Sequence, residues 1–143
     1  MEKLTIKTES IMAARFGRDS VIALATEADG IPHVRMVNAL YDKGAFYVLT
    51  HRLSGKMEQI AGNPVVAVAG EWFSAHGRAV DRGYFGKAEN RAAAEKMREA
   101  FSGWIDNGHN DLDDINTIIL AVELTDGVLL SRGERYEIDF TRR

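Results

Sequence analysis

The spacing of apolar and polar positions changes several times along the chain, and each change marks an element. SIMAARFG, residues 10–17, has helical spacing and stops at a glycine, whereas SVIALAT, 20–26, is a β-type run. Asp29-Gly30 predicts a hairpin into PHVRMVNALY, 32–41, and DKG at 42–44 turns that strand into AFYVLT, 45–50. A helix of about two turns then ends at Gly62, with Asn63-Pro64 as its stop signal. VVAVAGEWF, 65–73, and SAHGRAVDRGYF, 74–85, read as two more strands. Ala93, Met97, Ala100 or Phe101, and Trp104 recur at three- and four-residue spacing, which predicts a long helix over 87–104. An acidic polar loop, 105–114, precedes three further β-type segments at 116–125, 127–131 and 134–140.

Six or more short strands with few, peripheral helices predict a mainly β protein. The expected architecture is a closed or nearly closed antiparallel β-barrel, with a sandwich as the alternative. In the 32–41 strand both alternating sets, His33/Arg35/Val37/Ala39/Tyr41 and Val34/Met36/Asn38/Leu40, are substantially apolar, and the strand at 65–73 is apolar on both faces. A strand with one wet face alternates cleanly. Something is therefore expected to cover the barrel's outside: a second subunit by preference, the long helix otherwise.

Composition narrows the classes. At 143 residues the chain has the size of one domain, and apolar residues at 45% with charged residues at 27% are ordinary globular values. A net charge of −3 argues against broad nucleic-acid binding, leaving room only for a local basic pocket. With no cysteine, disulfides, thiolate metal sites and cysteine nucleophiles are excluded. MEKLTIKTES lacks a signal-peptide apolar core and no run is long enough to span a membrane, so a cytoplasmic location is expected.

Two places carry candidate chemistry. In THRLSGKMEQIAGNP, 50–64, Thr50, Ser54 and Lys56 stand where a strand ends and a helix begins. Free N–H groups and the helix dipole favour an anion there, with hydroxyl and ammonium donors to hold a phosphate. The segment alone favours an N-capped helix with a solvated lysine. It is not a phosphate loop of the GxxxxGK[ST] type, since Thr50 and Met57 occupy two of its defining positions. Arg35 is the second place. A permanent charge among the apolar residues of HVRMV needs an anion or a carboxylate. If residues 41 and 45 pair, 36 faces 50 across the hairpin, which would bring Arg35 near Thr50; a salt bridge to an acid such as Glu71 is the competing account.

The remaining signals are weaker. His33, His51, His76 and His109 show no paired metal-ligand spacing, and no metal site is expected. DLDD at 111–114 fails the glycine and glutamate positions of a calcium loop. Trp104 reads as core, Trp72 as either core or a stacking aromatic, and no GxSxG elbow is present.

PHVRMV at 32–37, FYVLT at 46–50, the T-x-x-x-S-x-K spacing of 50–56 and NPVVAV at 63–68, in this order, resemble the pyridoxamine 5′-phosphate oxidase-like family of FMN-binding split β-barrels, especially its short, general-stress-protein-like branch. The resemblance implies an FMN phosphate held by Arg35 and Lys56, with Thr50 and Ser54 adding hydroxyl contacts and Gly55 between them. It implies that Met36, Val37 and Asn38 face the isoalloxazine ring, with Leu49 alongside, and that Trp72 reaches a flavin from the second subunit. It also implies a homodimer with FMN at the subunit interface, and a small oxidoreductase acting on a small-molecule substrate or electron acceptor. A non-catalytic flavin-binding stress or sensor protein, or the same barrel binding haem or a deazaflavin, is the alternative.

The departures are specific. Gly55 stands where the oxidase has a phosphate-contacting arginine, leaving Arg52 as a candidate substitute. Leu40 replaces a strand-ending lysine, GYFGKAENRAAAE has no counterpart of the oxidase's substrate-binding residues, and its Arg-Leu-His tail is absent. Pyridoxamine phosphate oxidation is therefore not expected, and no catalytic acid or base is identified.

Overall fold

The computed structural model describes residues 1–143. Its elements are β1 (Glu2–Lys3), α1 (Ile6–Phe16), β2 (Ser20–Ala28), β3 (Ile31–Asp42), β4 (Ala45–His51), α2 (Gly55–Gly62), β5 (Val65–Gly70), β6 (Phe73–Tyr84), α3 (Arg91–Ala100, preceded by a 3-10 turn at Ala88–Asn90), β7 (Thr117–Ser131) and β8 (Glu134–Asp139). The sheet runs β7-β4-β3-β2-β5-β6 and closes by pairing of β6 with β7, giving a six-stranded antiparallel barrel. β8 extends the second half of β7, and β1 adds to β8 in parallel.

Alternation along the strands builds the interior. Ile22 and Leu24 of β2, Val66 and Val68 of β5, Phe73 and Ala75 of β6, and Leu120 and Val122 of β7 all point inward and are buried. Phe46 meets Phe16, Tyr41 and Phe73 at ring-centroid distances of 5.6 to 6.3 Å. α1 closes one end with Thr8, Met12 and Phe16, four residues apart and all buried.

Several details differ from the sequence expectation. α1 begins at Ile6 rather than Ser10. Thr5 is its N-cap in a capping box completed by Thr8, and a threonine at the third position escapes the usual S/T-x-x-E/Q signature. The 116–125 and 127–131 segments form one strand, because a register shift at His76/Gly77 absorbs Thr125 without breaking β7. The predicted long helix is shorter: after Ala100 the chain continues in turns, although Phe101 and Ile105 stay buried. The β3–β4 register is also corrected. Lys43-Gly44 makes a two-residue turn with both φ angles positive, at 49° and 88°, so Tyr41 faces Phe46 and Asp42 faces Ala45. Residue 36 does not face 50.

That hairpin has a larger consequence. β3 pairs with β4 only at Leu40, Tyr41 and Asp42, while its residues Ile31 to Ala39 pair with β2 and all of β4 pairs with β7. Beyond Leu40 the two strands part, and each keeps a free backbone edge along the split.

α3 covers only part of the outside. It packs Ala94 and Met97, with Phe101 beyond it, over Leu40 and Ile119, with Tyr47 and Leu49 at the margin. The β2–β3 face stays open, with Val21, Val34 and Met36 58%, 68% and 63% exposed. No helix is long and apolar enough to cross a membrane.

Candidate anion-binding cleft

α2 sits at the split because its apolar side belongs to the core. Met57 and Ile60, three residues apart, are both 5% exposed and pack into the barrel interior. The turn N-terminal to them places Ser54 and Lys56 at the opening. Lys56 Nζ donates to Thr50 Oγ1 at 2.6 Å, tying the helix to β4. On the other side Thr26 Oγ1 donates to Gln59 Oε1 at 2.5 Å, tying it to β2.

Arg35 reaches the same place from β3. Its guanidinium donates to the Leu24 carbonyl at 3.1 Å, to Thr26 Oγ1 at 2.7 Å and to Gln59 Oε1 at 3.0 Å. No carboxylate meets it; Glu71 instead lies at a hairpin tip where its carbonyl accepts from Arg15. Burial lowers the Arg35 pKa, and the Lys56 ammonium is lowered first by burial and then by Arg35 itself. The cleft therefore holds two partly desolvated, mutually repelling cations with no anionic partner. Beside them, the Ser54 hydroxyl is the buried side-chain polar atom without a hydrogen-bond partner, and it makes no capping bond to its own helix. Two uncompensated cations and an idle hydroxyl at a helix N-terminus make this cleft a candidate anion site in both charge and hydrogen-bonding capacity.

Thus Arg35, Lys56, Thr50 and Ser54 gather at the split, assembled by α2 and not by a cross-strand ladder. Gly55 is exposed and a side chain there would meet nothing within 4 Å. Arg52 lies to one side, its Nε donating to Asp81 at 3.2 Å. Val37 faces inward against the core, while Met36 is exposed on the outer face and Asn38 donates to Asp19 at 2.9 Å. Leu49 packs with the α3 cluster, on the side of β4 away from Thr50. Trp72 is 67% exposed at the β5–β6 turn in the left-handed region, φ 52°, with its carbonyl accepting from Leu130.

Thr26 and Gln59 were not anticipated. A polar residue at an inward position of β2, after Ile22 and Leu24, was a signal for the first. Gln59, three residues after Lys56 on one helix face, was a signal for the second.

The chain is similar to known proteins over most of its length. The model of the family described as pyridoxamine 5′-phosphate oxidase matches residues 10–128. General stress protein 26 of Bacillus subtilis is 31% identical over 114 residues, which cover 79% of this chain and 81% of that protein. A FAD-binding protein from Mesorhizobium loti has a similar structure, with TM-score 0.65 at 16% identity over 87% of this chain and 92% of its own. A heme binding protein from Mycobacterium smegmatis matches with TM-score 0.68 at 15% identity over 91% of this chain and 55% of its own.

Proposed function

The chain belongs to the pyridoxamine 5′-phosphate oxidase-like family of split β-barrels, and from that premise we propose that it is a cytoplasmic, homodimeric FMN-binding oxidoreductase with a substrate other than pyridoxamine phosphate. The observation that carries the proposal is the pairing of Arg35 and Lys56, desolvated and without a carboxylate, beside the unpartnered Ser54 hydroxyl. These groups suit the phosphate of FMN: Lys56 and Arg35 supply charge-assisted donors, Ser54 and Thr50 hydroxyls, and α2 its first N–H groups. The free edges of β3 and β4 along the split offer backbone donors and acceptors to a flat, polar-edged ring system. Bound FMN would supply hydride or electron transfer, while the chain binds, orients and shields it.

The dimer is supported by the open outer face. Val21, Ala23 and Ala25 of β2 lie beside Val34 and Met36 of β3 and Ala67 and Ala69 of β5, an apolar sheet surface that α3 does not reach. A partner there would also give the exposed Trp72 a second subunit to touch.

An absorbance spectrum of the purified protein is the primary test. A yellow protein that bleaches on reduction is expected, and a Soret band would replace FMN with haem. Lys56→Ala and Arg35→Ala are each expected to weaken FMN by about 1.5–3 kcal/mol in a fluorescence titration, and unchanged affinity in both would end the phosphate assignment. Turnover of NAD(P)H with quinone, nitro or dye acceptors is expected; none across such a panel would leave a flavin-binding stress or sensor protein.

A further inference from the structure

Arg35 is aimed before any ligand arrives. Its Nη1 donates to the Leu24 carbonyl and to Thr26 Oγ1, and its Nη2 to Gln59 Oε1, while Thr26 Oγ1 also bonds Gln59 Oε1. The polarity of this ring is forced. A guanidinium only donates, so the Thr26 oxygen must accept from it, its own proton must go to Gln59, and the amide must turn Oε1 toward both. Three of the five guanidinium N–H groups are thereby occupied, leaving Nε and one Nη2 proton for a ligand.

Each acceptor in the ring is neutral: a peptide carbonyl, a hydroxyl and an amide. A glutamate at position 59 has nearly the shape of glutamine and would orient Arg35 equally well, yet it would also cancel the arginine's charge. Gln59 is seated for this task by its helix, one position before the buried Ile60 and three after Lys56. Thr26 is 2% exposed, so the hydroxyl that completes the ring is shielded from competing water.

We propose that Gln59, supported by Thr26, is a positioning and specificity-determining residue: it directs Arg35 at the ligand's phosphate while leaving the guanidinium charge uncompensated, so the cleft prefers a phosphorylated flavin to the same flavin without its phosphate. The proposal rests on the FMN-site reading, and its test separates the two. FMN and riboflavin share a ring system and differ in the phosphate, so their affinities are measured on the same protein by fluorescence titration.

In Gln59→Glu the Arg35 hydrogen bonds persist and the melting temperature is expected at or above that of the unaltered chain, but the FMN-over-riboflavin affinity ratio falls about ten- to a hundredfold, the range for a lost charged hydrogen bond. Gln59→Met, of similar length and apolar, is expected to lower the ratio severalfold through loss of aim, and it carries the test should Gln59→Glu fail to fold. A residue that only braces α2 would weaken both flavins alike. An unchanged ratio in the Gln59 variants, with Lys56→Ala still lowering it, overturns this inference and leaves the phosphate site standing. An unchanged ratio in Lys56→Ala removes both.

Discussion

At the scale of single residues the cleft is defined by what its groups lack. Lys56 bonds a neutral hydroxyl, Arg35 bonds neutral oxygens, and the Ser54 hydroxyl bonds nothing. The sign of the Lys56 shift makes a pH prediction. Its folded pKa lies below 10.5, so between the two values the unfolded chain binds more protons and stability of the free protein rises with pH. Anion binding needs the ammonium, so FMN affinity is expected to fall through the same alkaline window, starting below pH 10.5. A titration of FMN affinity against pH checks this, and a profile flat up to 10.5 would contradict it. Gly55 gives a second prediction. Open space at its Cβ position admits a larger side chain without strain, so Gly55→Arg is expected to add a third cation and tighten FMN by up to about tenfold.

At the scale of elements, one anchor and one strained turn stand out. Asn90 is 7% exposed, and its Nδ2 donates to the carbonyls of Tyr84 at 2.8 Å and Arg82 at 3.0 Å, fastening the start of α3 to the irregular end of β6. Asn90→Ala leaves those carbonyls unsatisfied beneath the helix, and is expected to cost about 1–3 kcal/mol in denaturant unfolding. The β5–β6 turn behaves in the opposite way. Trp72 occupies a left-handed conformation that costs a bulky residue roughly 1–2 kcal/mol, at a largely exposed site. Trp72→Gly is therefore expected to stabilise the isolated subunit by about 1 kcal/mol while weakening flavin binding in the dimer. Loss of stability on that substitution would show that the ring packs within its own chain.

At the scale of the whole molecule, closure and splitting have one origin. Six strands close because β6 returns to β7, and they split because β3 is committed to β2 while β4 is committed to β7. The helices divide the outer surface: α3 buries the β4 side, and the apolar β2–β3–β5 face is left open. Met36→Glu places a charge on that face, where the isolated subunit already exposes the side chain. It is expected to leave the fold intact and convert a dimer to a monomer on a size-exclusion column. A dimer persisting in this variant would place the interface elsewhere.

The strands, their hairpins and the β class were legible from alternation and turn residues, because these depend on neighbours two to four positions away. Arg35 and Lys56 were legible too, as charges without a local reason. Three features were not legible. The capping box of α1 used Thr8 where the common signature has an acid or amide, and the β3–β4 register turned on the conformation of Lys43-Gly44. The Thr26–Gln59–Arg35 ring joins residues 9 to 33 positions apart, which come together only when α2 packs Met57 and Ile60 into the barrel. The sequence by itself determined which side chains could hold an anion. Only the tertiary structure decided that they share one opening, because strand pairing stops at Leu40 and a helix, not a strand, brings the two sides together.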